Sequence, residues 1–347
     1  MSRKERFSHG ISFCIILFFA GIAVSGLMLR LKAKELSDDP FFKASRGWYE
    51  KWKRRHSVSM RTKTTLAQRL PADLEENIVR FHRFVIAART RADYPLSHIY
   101  NMDETPMRFE LPSNRTLEFS GSRTVPVKSC GAEKRSFTVA LAVAADGRKL
   151  PPKVIFKGVR TPRDLVVPHP LRVSFHKKGW MDEQGVREWI RQSLPRGERS
   201  FLVWDSFRAH LTDSVKGDLN QRNIDVAIIP GGLTPVLQPL DKCLNKPFKD
   251  NVRRKYLAWM ISGPFEFTPA GKKKAPSRNL VLRWIKTAWA EIPEEMIRNS
   301  FKTCGISNAM DGTEDDAVFT EDSPEIEDDD MEENEFETDS EEETDGE

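Results

Sequence analysis

Three aspartates stand where chemistry at phosphorus would need them. Asp205 follows the apolar run Phe201-Leu202-Val203-Trp204, Asp241 comes 36 positions later in Leu237-Gln238-Pro239-Leu240-Asp241, and Asp103 closes the run Ile99-Tyr100-Asn101-Met102. Sheets gather the ends of neighbouring strands, and ligands of open α/β sheets sit in the crevice there. Carboxylate oxygens suit Mg²⁺ or Mn²⁺. Two such ions clamp the attacking and leaving oxygens of an in-line displacement. The same pattern also reads as strands that end in turns, since Asp is a common turn residue. Spacing alone leaves both readings open.

Wider motifs narrow the choice. Asn101-Met102-Asp103-Glu104-Thr105-Pro106, Asp205-Ser206-Phe207-Arg208-Ala209-His210, Gly231-Gly232-Leu233-Thr234, and Gln238-Pro239-Leu240-Asp241 followed by Asn245-Lys246-Pro247-Phe248-Lys249 occur in this order. Together they resemble the DDE domain of pogo-like transposases, the group that includes Tigger, jerky and centromere protein B relatives. Cys304 to Asp316 resembles a branch of that group joined to a KRAB domain, although no KRAB-like segment is visible in this sequence. The resemblance covers roughly residues 31–316. It implies an α/β, RNase H-like catalytic core with Asp103, Asp205 and Asp241 as catalytic residues and ligands of Mg²⁺ or Mn²⁺. It also implies double-stranded DNA as partner, and the nucleus as location. Three further residues are candidates to support the triad. Glu104 points away from Asp103 on a strand, His210 is either a phosphate or water contact or a packed histidine, and Asn245 lies one helical turn after Asp241.

The elements that must place these residues follow from periodicity. Ile99–Met102, Phe137–Ala144 and Val154–Lys157 read as antiparallel strands separated by turns at Ser120-Gly121 and Asp146-Gly147. A helix over 181–194, a strand ending at Asp205, a helix over 212–223 and a strand over 226–229 then alternate as in a βαβ unit. Asp241 opens a long helix through Phe248, Val252 and Tyr256, and Leu280 to Phe301 reads as one further helix with Leu282, Ile285 and Trp289 on its apolar stripe. Residues 66–91 form a connecting helix with Leu74, Ile78, Phe81, Phe84 and Val85 facing inward.

Charge is divided along the chain. All 55 Lys and Arg lie in the first 303 residues with 30 of the 51 acids, a net charge of +25, and the remaining 21 acids lie after Thr303. Such a body suits a polyanion partner. The most basic stretch runs from Lys43 to Lys63, with eight Lys or Arg against Glu50. With Ser45 as N-cap, a helix there places Trp48, Trp52 and His56 on one stripe and Lys51, Arg54 and Arg55 opposite. A helix-turn-helix uses such a helix in the major groove, and Lys51, Lys53, Arg54, Arg55, Arg61 and Lys63 are the candidate DNA contacts. A merely solvated basic face is the alternative. Phe42 to Trp48 with Arg54-Arg55-His56 resembles the second DNA-binding half of centromere protein B-like domains.

Ile11 to Leu29 fits least well. Its 19 uncharged residues, flanked by Arg3, Lys4 and Arg6 and by Arg30, Lys32 and Lys34, match a membrane span or signal peptide in length and flanks. The basic body and the four isolated cysteines, Cys14, Cys130, Cys243 and Cys304, support neither a disulfide framework nor a zinc site and favour an atypical first exon.

The chain thus divides into an apolar segment (1–30), a partial helix-turn-helix (31–71), a helical linker (72–98), a DDE endonuclease domain (99–303) and an acidic disordered tail (304–347). The expected function is a DNA-binding, pogo-like transposase-derived protein with a Mg-dependent endonuclease or strand-transfer site. A catalytically silent nuclear regulator and a membrane-anchored protein are the alternatives, and the oligomeric state, a homodimer included, stays open.

Overall fold

The computed structural model describes residues 29–30, 33–34, 37, 39, 41–56, 74–111, 130–132, 134–263, 265–269 and 273–319. They fall into two units, one within residues 1–69 and one within 70–330.

In the first unit, helix α1 (Arg46–Arg55) begins at Ser45, whose hydroxyl accepts from the Trp48 backbone N–H. That bond satisfies one of the donors a helix N-terminus leaves unpaired. Trp52 is buried and its ring lies 4.9 Å from His56, while Trp48 is half-buried against Phe42. Lys51, Arg54 and Arg55 are exposed. Lys53 differs from the expectation of an outward cation, because it is half-buried, paired with Glu50 at 3.1 Å and held over the Tyr49 ring. Arg61, Lys63 and nearly all of Ile11 to Leu29 lie outside the described residues. Among the described residues no helix is long and apolar enough to cross a membrane.

The second unit is a sheet between helices. Helix α2 (Leu74–Arg91) leads into strands β1 (Ile99–Arg108), β2 (Ser136–Ala144), β3 (Lys153–Lys157) and β4 (Arg172–His176). Helix α3 (Glu183–Ser193), strand β5 (Ser200–Trp204), helix α4 (Asp213–Gln221) and strand β6 (Ile224–Ile228) follow. Among the described residues the sheet has the order β4-β3-β2-β1-β5-β6. Strand β2 runs antiparallel to β1 and β3, and the β1–β5, β5–β6 and β3–β4 pairs are parallel. Every strand except β2 therefore points its C-terminal end to the same rim.

Alternation along the strands feeds two cores. On one face Tyr100, Met102, Leu202 and Trp204 pack with Val186, Trp189 and Ile190 of α3 and Val215 and Leu219 of α4. On the other, Ile99, Leu141, Phe201 and Val203 belong to a larger core. Its remaining walls are short helix α5 (Thr234–Leu237) and long helices α6 (Asn245–Ser262), α7 (Arg278–Ala290) and α8 (Glu294–Thr303). A face of this breadth gives the core its apolar burial, at about 25 cal/mol per Å² removed from water.

Several expectations change. Strand β1 runs six residues past Met102, so Asp103 is inside it. Its pairing with β5 stops at Asn101, which leaves that side of β1 an edge where Pro106 is tolerated. Strand β4 is an addition to the three antiparallel strands expected. The helix expected over 280–301 breaks at Glu291-Ile292-Pro293, since proline cannot continue a helix. Phe84 is 49% exposed on α2, where Ala88 takes the inward place beside Phe81 and Val85. The start of the segment expected to be a disordered tail is packed: Cys304 and Ile306 are buried, and Lys302 pairs with Glu314 at 2.7 Å; residues 320–347 lie outside the described residues. No disulfide joins Cys130, Cys243 and Cys304.

Candidate active site

Asparagine 101 decides where the third aspartate lies. It is wholly buried on β1, donates from Nδ2 to the Val203 carbonyl at 2.9 Å, and accepts at Oδ1 from the Leu240 N–H at 3.1 Å. One amide thus ties β1 to β5 and draws the segment after α5 down onto the sheet. There Leu240–Leu244 forms a π-helical turn, closed by the Asn245 N–H on the Leu240 carbonyl, that runs directly into α6. The Lys242 ammonium holds it from the other side by donating to the Thr303 carbonyl at the end of α8 (2.7 Å).

Asp241 sits in that turn and faces Asp103. The Asn245 Nδ2 donates to Asp103 Oδ2 at 2.6 Å and to Asp241 Oδ1 at 3.0 Å, and Gln238 donates to Asp241 Oδ2 at 3.3 Å. Burial, and then the Asp241 charge, push the Asp103 carboxyl well above the usual range. Burial likewise raises Asp241, against the hydrogen bonds that favour its charged form. Two acids brought together, with Asp103 out of water, cannot both ionise freely. The Oδ1 atom of Asn245 is buried without a partner.

Asp205 follows the last residue of β5. The β1–β5 register pairs Ile99 with Phe201 and Asn101 with Val203 and ends there, so Asp103 and Asp205 each lie two residues beyond the last pair on neighbouring strands. Both bonds to Asp205 fall on Oδ1, from the Phe207 N–H at 3.1 Å and from His210 Nδ1 at 2.7 Å. His210 is buried and stacked on Trp204, with ring centroids 4.2 Å apart, and its Nε2 donates to Glu104 Oε1 at 3.3 Å. Burial works against the imidazolium, but Asp205 and Glu104 outweigh it and the pKa is pushed up to about 9. In return, although burial opposes it, His210 holds Asp205 below the usual carboxylate range.

The cluster has two halves. Asp103, Asp241 and Asn245 form one. Asp205, His210 and Glu104 form the other, and alternation along β1 turns Glu104 to the opposite side from Asp103. Among the described residues no group of three His, Cys, Asp or Glu side chains is arranged to hold a metal ion as it stands. Neither the pinning by Asn101 nor the bridge by Asn245 follows from periodicity, because both join residues about 140 positions apart. Their one signal in the sequence is their place in the matched motifs.

Known proteins resemble the chain in both sequence and fold. Residues 134–301 match the family described as DDE superfamily endonuclease, and residues 12–62 match the Tc5 transposase DNA-binding domain, a match that begins inside the apolar run Ile11 to Leu29. The chain is 39% identical over 302 residues to the Homo sapiens "Pogo transposable element with KRAB domain", covering 84% of this chain and 49% of that protein. It is 24% identical over 309 residues to the "Jerky protein" of Mus musculus, covering 81% of this chain and 50% of that relative. The chain spans about half the length of the curated relatives it matches. Among solved structures, "Mos1 transposase paired-end complex with left transposon end" superposes with a TM-score of 0.52 at 12% identity, covering 89% of this chain and 77% of that one. That likeness carries the RNase H-like fold. With an N-terminal helix-turn-helix match, a DDE core and this level of identity, the chain belongs to the pogo-derived transposase family.

Proposed function

We propose that this chain is a nuclear protein that binds double-stranded DNA through its N-terminal module and cleaves DNA at Asp103, Asp205 and Asp241 with a divalent cation, Mg²⁺ or Mn²⁺. The observation that carries the reading is the meeting of Asp103 and Asp241 on one amide, with Asp205 just past the end of the neighbouring strand. The donor set fits a hard cation: its side chains offer oxygen, and one of them, Asn245 Oδ1, is buried without a partner. A cation would also favour the charged forms of Asp103 and Asp241, against the burial that raises both. When bound, the ion supplies Lewis-acid activation and charge neutralisation at the phosphorus under attack. The protein's own part is positioning. Asn101 fixes the height of Asp241, Asn245 sets the spacing of Asp103 and Asp241, and His210 with the Phe207 N–H fixes the orientation of Asp205.

The test is nicking of DNA carrying the ends of the parent element, with Mg²⁺ and with chelator. Asp→Asn at 103, 205 or 241 keeps shape and removes charge, so metal-dependent cleavage should collapse while duplex binding persists. Cleavage that survives any of the three substitutions overturns the assignment.

Two observations favour a second reading, a DNA-binding regulator without turnover. His210 claims Asp205 Oδ1, and the three aspartates do not stand together as a ready-made cluster among the described residues. Duplex binding with no nicking under any divalent cation would select it.

A further inference from the structure

A cleft of about 500 Å³ opens at the rim of the sheet beside β3 and β4. Lys134, Arg135, Lys157, Lys177, Lys178 and Arg278 line it, with Trp180 at its mouth and Phe109 and Phe156 in its wall. Among the described residues none of the six cations has a carboxylate partner within ion-pair distance. Two are instead laid on aromatic faces: Arg135 stands 4.7 Å over Phe109, and Arg278 stands 5.6 Å over Phe156 and 5.9 Å over Phe175. The Arg278 Nε is buried without a hydrogen-bond partner. Trp180 is 58% exposed, an unusual position for a large indole.

The register gives the cleft a place relative to the aspartates. Met107 of β1 pairs with Phe137 of β2, which pairs with Phe156 of β3. The cleft wall at Phe156 therefore lies two strands from β1, about 10 Å, and four residues beyond Asp103, about 13 Å along the strand. Lys157 and His176, which end β3 and β4, close the same rim that carries Asp205.

We infer that this cleft binds an unpaired stretch of DNA strand, with its phosphates on the lysines and arginines and a base stacked on Trp180. This rests on the reading that the chain acts on DNA, and adds where a single strand is held. Six like charges in a cleft whose described lining holds no acid are stabilised by a polyanion. Single-strand sites combine such a cationic groove with an aromatic platform. A cleft of this volume is in the range for small-molecule pockets, about 300–1,000 Å³, which admits a nucleotide and excludes the width of a duplex.

The test uses the full chain in chelator, so that cleavage plays no part, with a labelled oligo-dT strand and a duplex of equal length read by fluorescence anisotropy. Trp180→Ala should weaken oligo-dT binding roughly 5- to 150-fold, the range for loss of one stacked base, and leave duplex binding unchanged. Trp180→Phe should restore most of it. Lys177→Gln with Lys178→Gln should lower the log–log salt slope for oligo-dT by about 1.4. Equal oligo-dT affinity for Trp180→Ala and wild type overturns the inference, as does equal weakening for strand and duplex. Wild-type protein that binds neither form brings down the DNA reading itself, whereas duplex binding with a silent Trp180→Ala brings down this inference alone.

Discussion

The Asn245 amide stands between Asp103 and Asp241, donating to the first at 2.6 Å and to the second at 3.0 Å. A single neutral group thus holds a buried acid, Asp103, and an acid from a sequence-distant element, Asp241, in one place. Replacing Asn245 with Leu keeps similar bulk and removes both bonds. An ordinary hydrogen bond contributes about 0.5–1.5 kcal/mol, so loss of the two in Asn245→Leu should lower unfolding free energy by roughly 1–3 kcal/mol near pH 7. Urea denaturation measures it, and an unchanged midpoint would show that the bridge does not hold the two elements together.

DNA affinity tests the first unit separately. Arg54 and Arg55 are exposed at the end of α1 without an acidic partner among the described residues. Each phosphate bound contributes about 0.9 to the log–log salt slope for duplex DNA. Arg54→Ala with Arg55→Ala should therefore flatten the slope by about 1.8 and weaken duplex binding most at low salt. A weaker affinity with an unchanged slope would mean that the substitutions disturbed the helix and that neither arginine binds a phosphate.

Acid should remove one specific ion pair. Asp218 of α4 accepts from Arg187 at 2.7 Å and from Arg191 at 3.1 Å, both on α3. The Arg187 bond, followed by Arg191 against the opposing effect of burial, holds its carboxyl below the usual range. A depressed folded pKa contributes stability above the unfolded value of about 3.9, and that contribution fades as pH falls through the folded pKa. The melting temperatures of wild type and Asp218→Asn should differ by a constant amount above about pH 5 and converge below about pH 4. A gap that persists in acid would assign the effect to packing.

Gly305 follows α8 with φ at +68°, and a Cβ there would meet His82 Nε2 at 2.6 Å. Two costs combine, since a left-handed conformation costs an L-residue about 1–2 kcal/mol and the His82 ring must move from the Cys304 carbonyl it touches. Gly305→Ala should lower stability by at least about 1 kcal/mol. In a His82→Ala background the steric part should disappear and the backbone part remain, which a double-mutant cycle separates.

Much of the core was legible from pattern. Phe201 to Trp204 form a strand because four apolar residues in a row suit a strand buried on both faces, and Leu282, Ile285 and Trp289 all turn inward on α7. The ends of elements were less legible. The strand expected over Ile99–Met102 runs on through Pro106 to Arg108, where β5 no longer pairs with it. Strand β4 is five residues long, half-buried throughout and reached through Pro162, Pro168 and Pro170, so no strong alternation with a core face marks it. At the site, residue types pointed to Asp103, Asp205 and Asp241, but the relations among them did not follow. Glu104 reaches His210 and so joins Asp205 through it, a link between residues 106 positions apart that no local spacing encodes.

The π-helical turn at Leu240–Leu244 carries one residue more per turn than the helix it enters. Deleting Lys242 or Cys243 would let the ladder become regular, a change that looks conservative on helix propensity alone. It would also rotate Asp241 by about 100° relative to Phe248, the angle of one helical residue. With Phe248 anchored in the core, the acid would swing off Asp103. A one-residue gap at this point in a related chain would therefore mark a protein that has kept the scaffold and given up the site, whatever its other aspartates suggest.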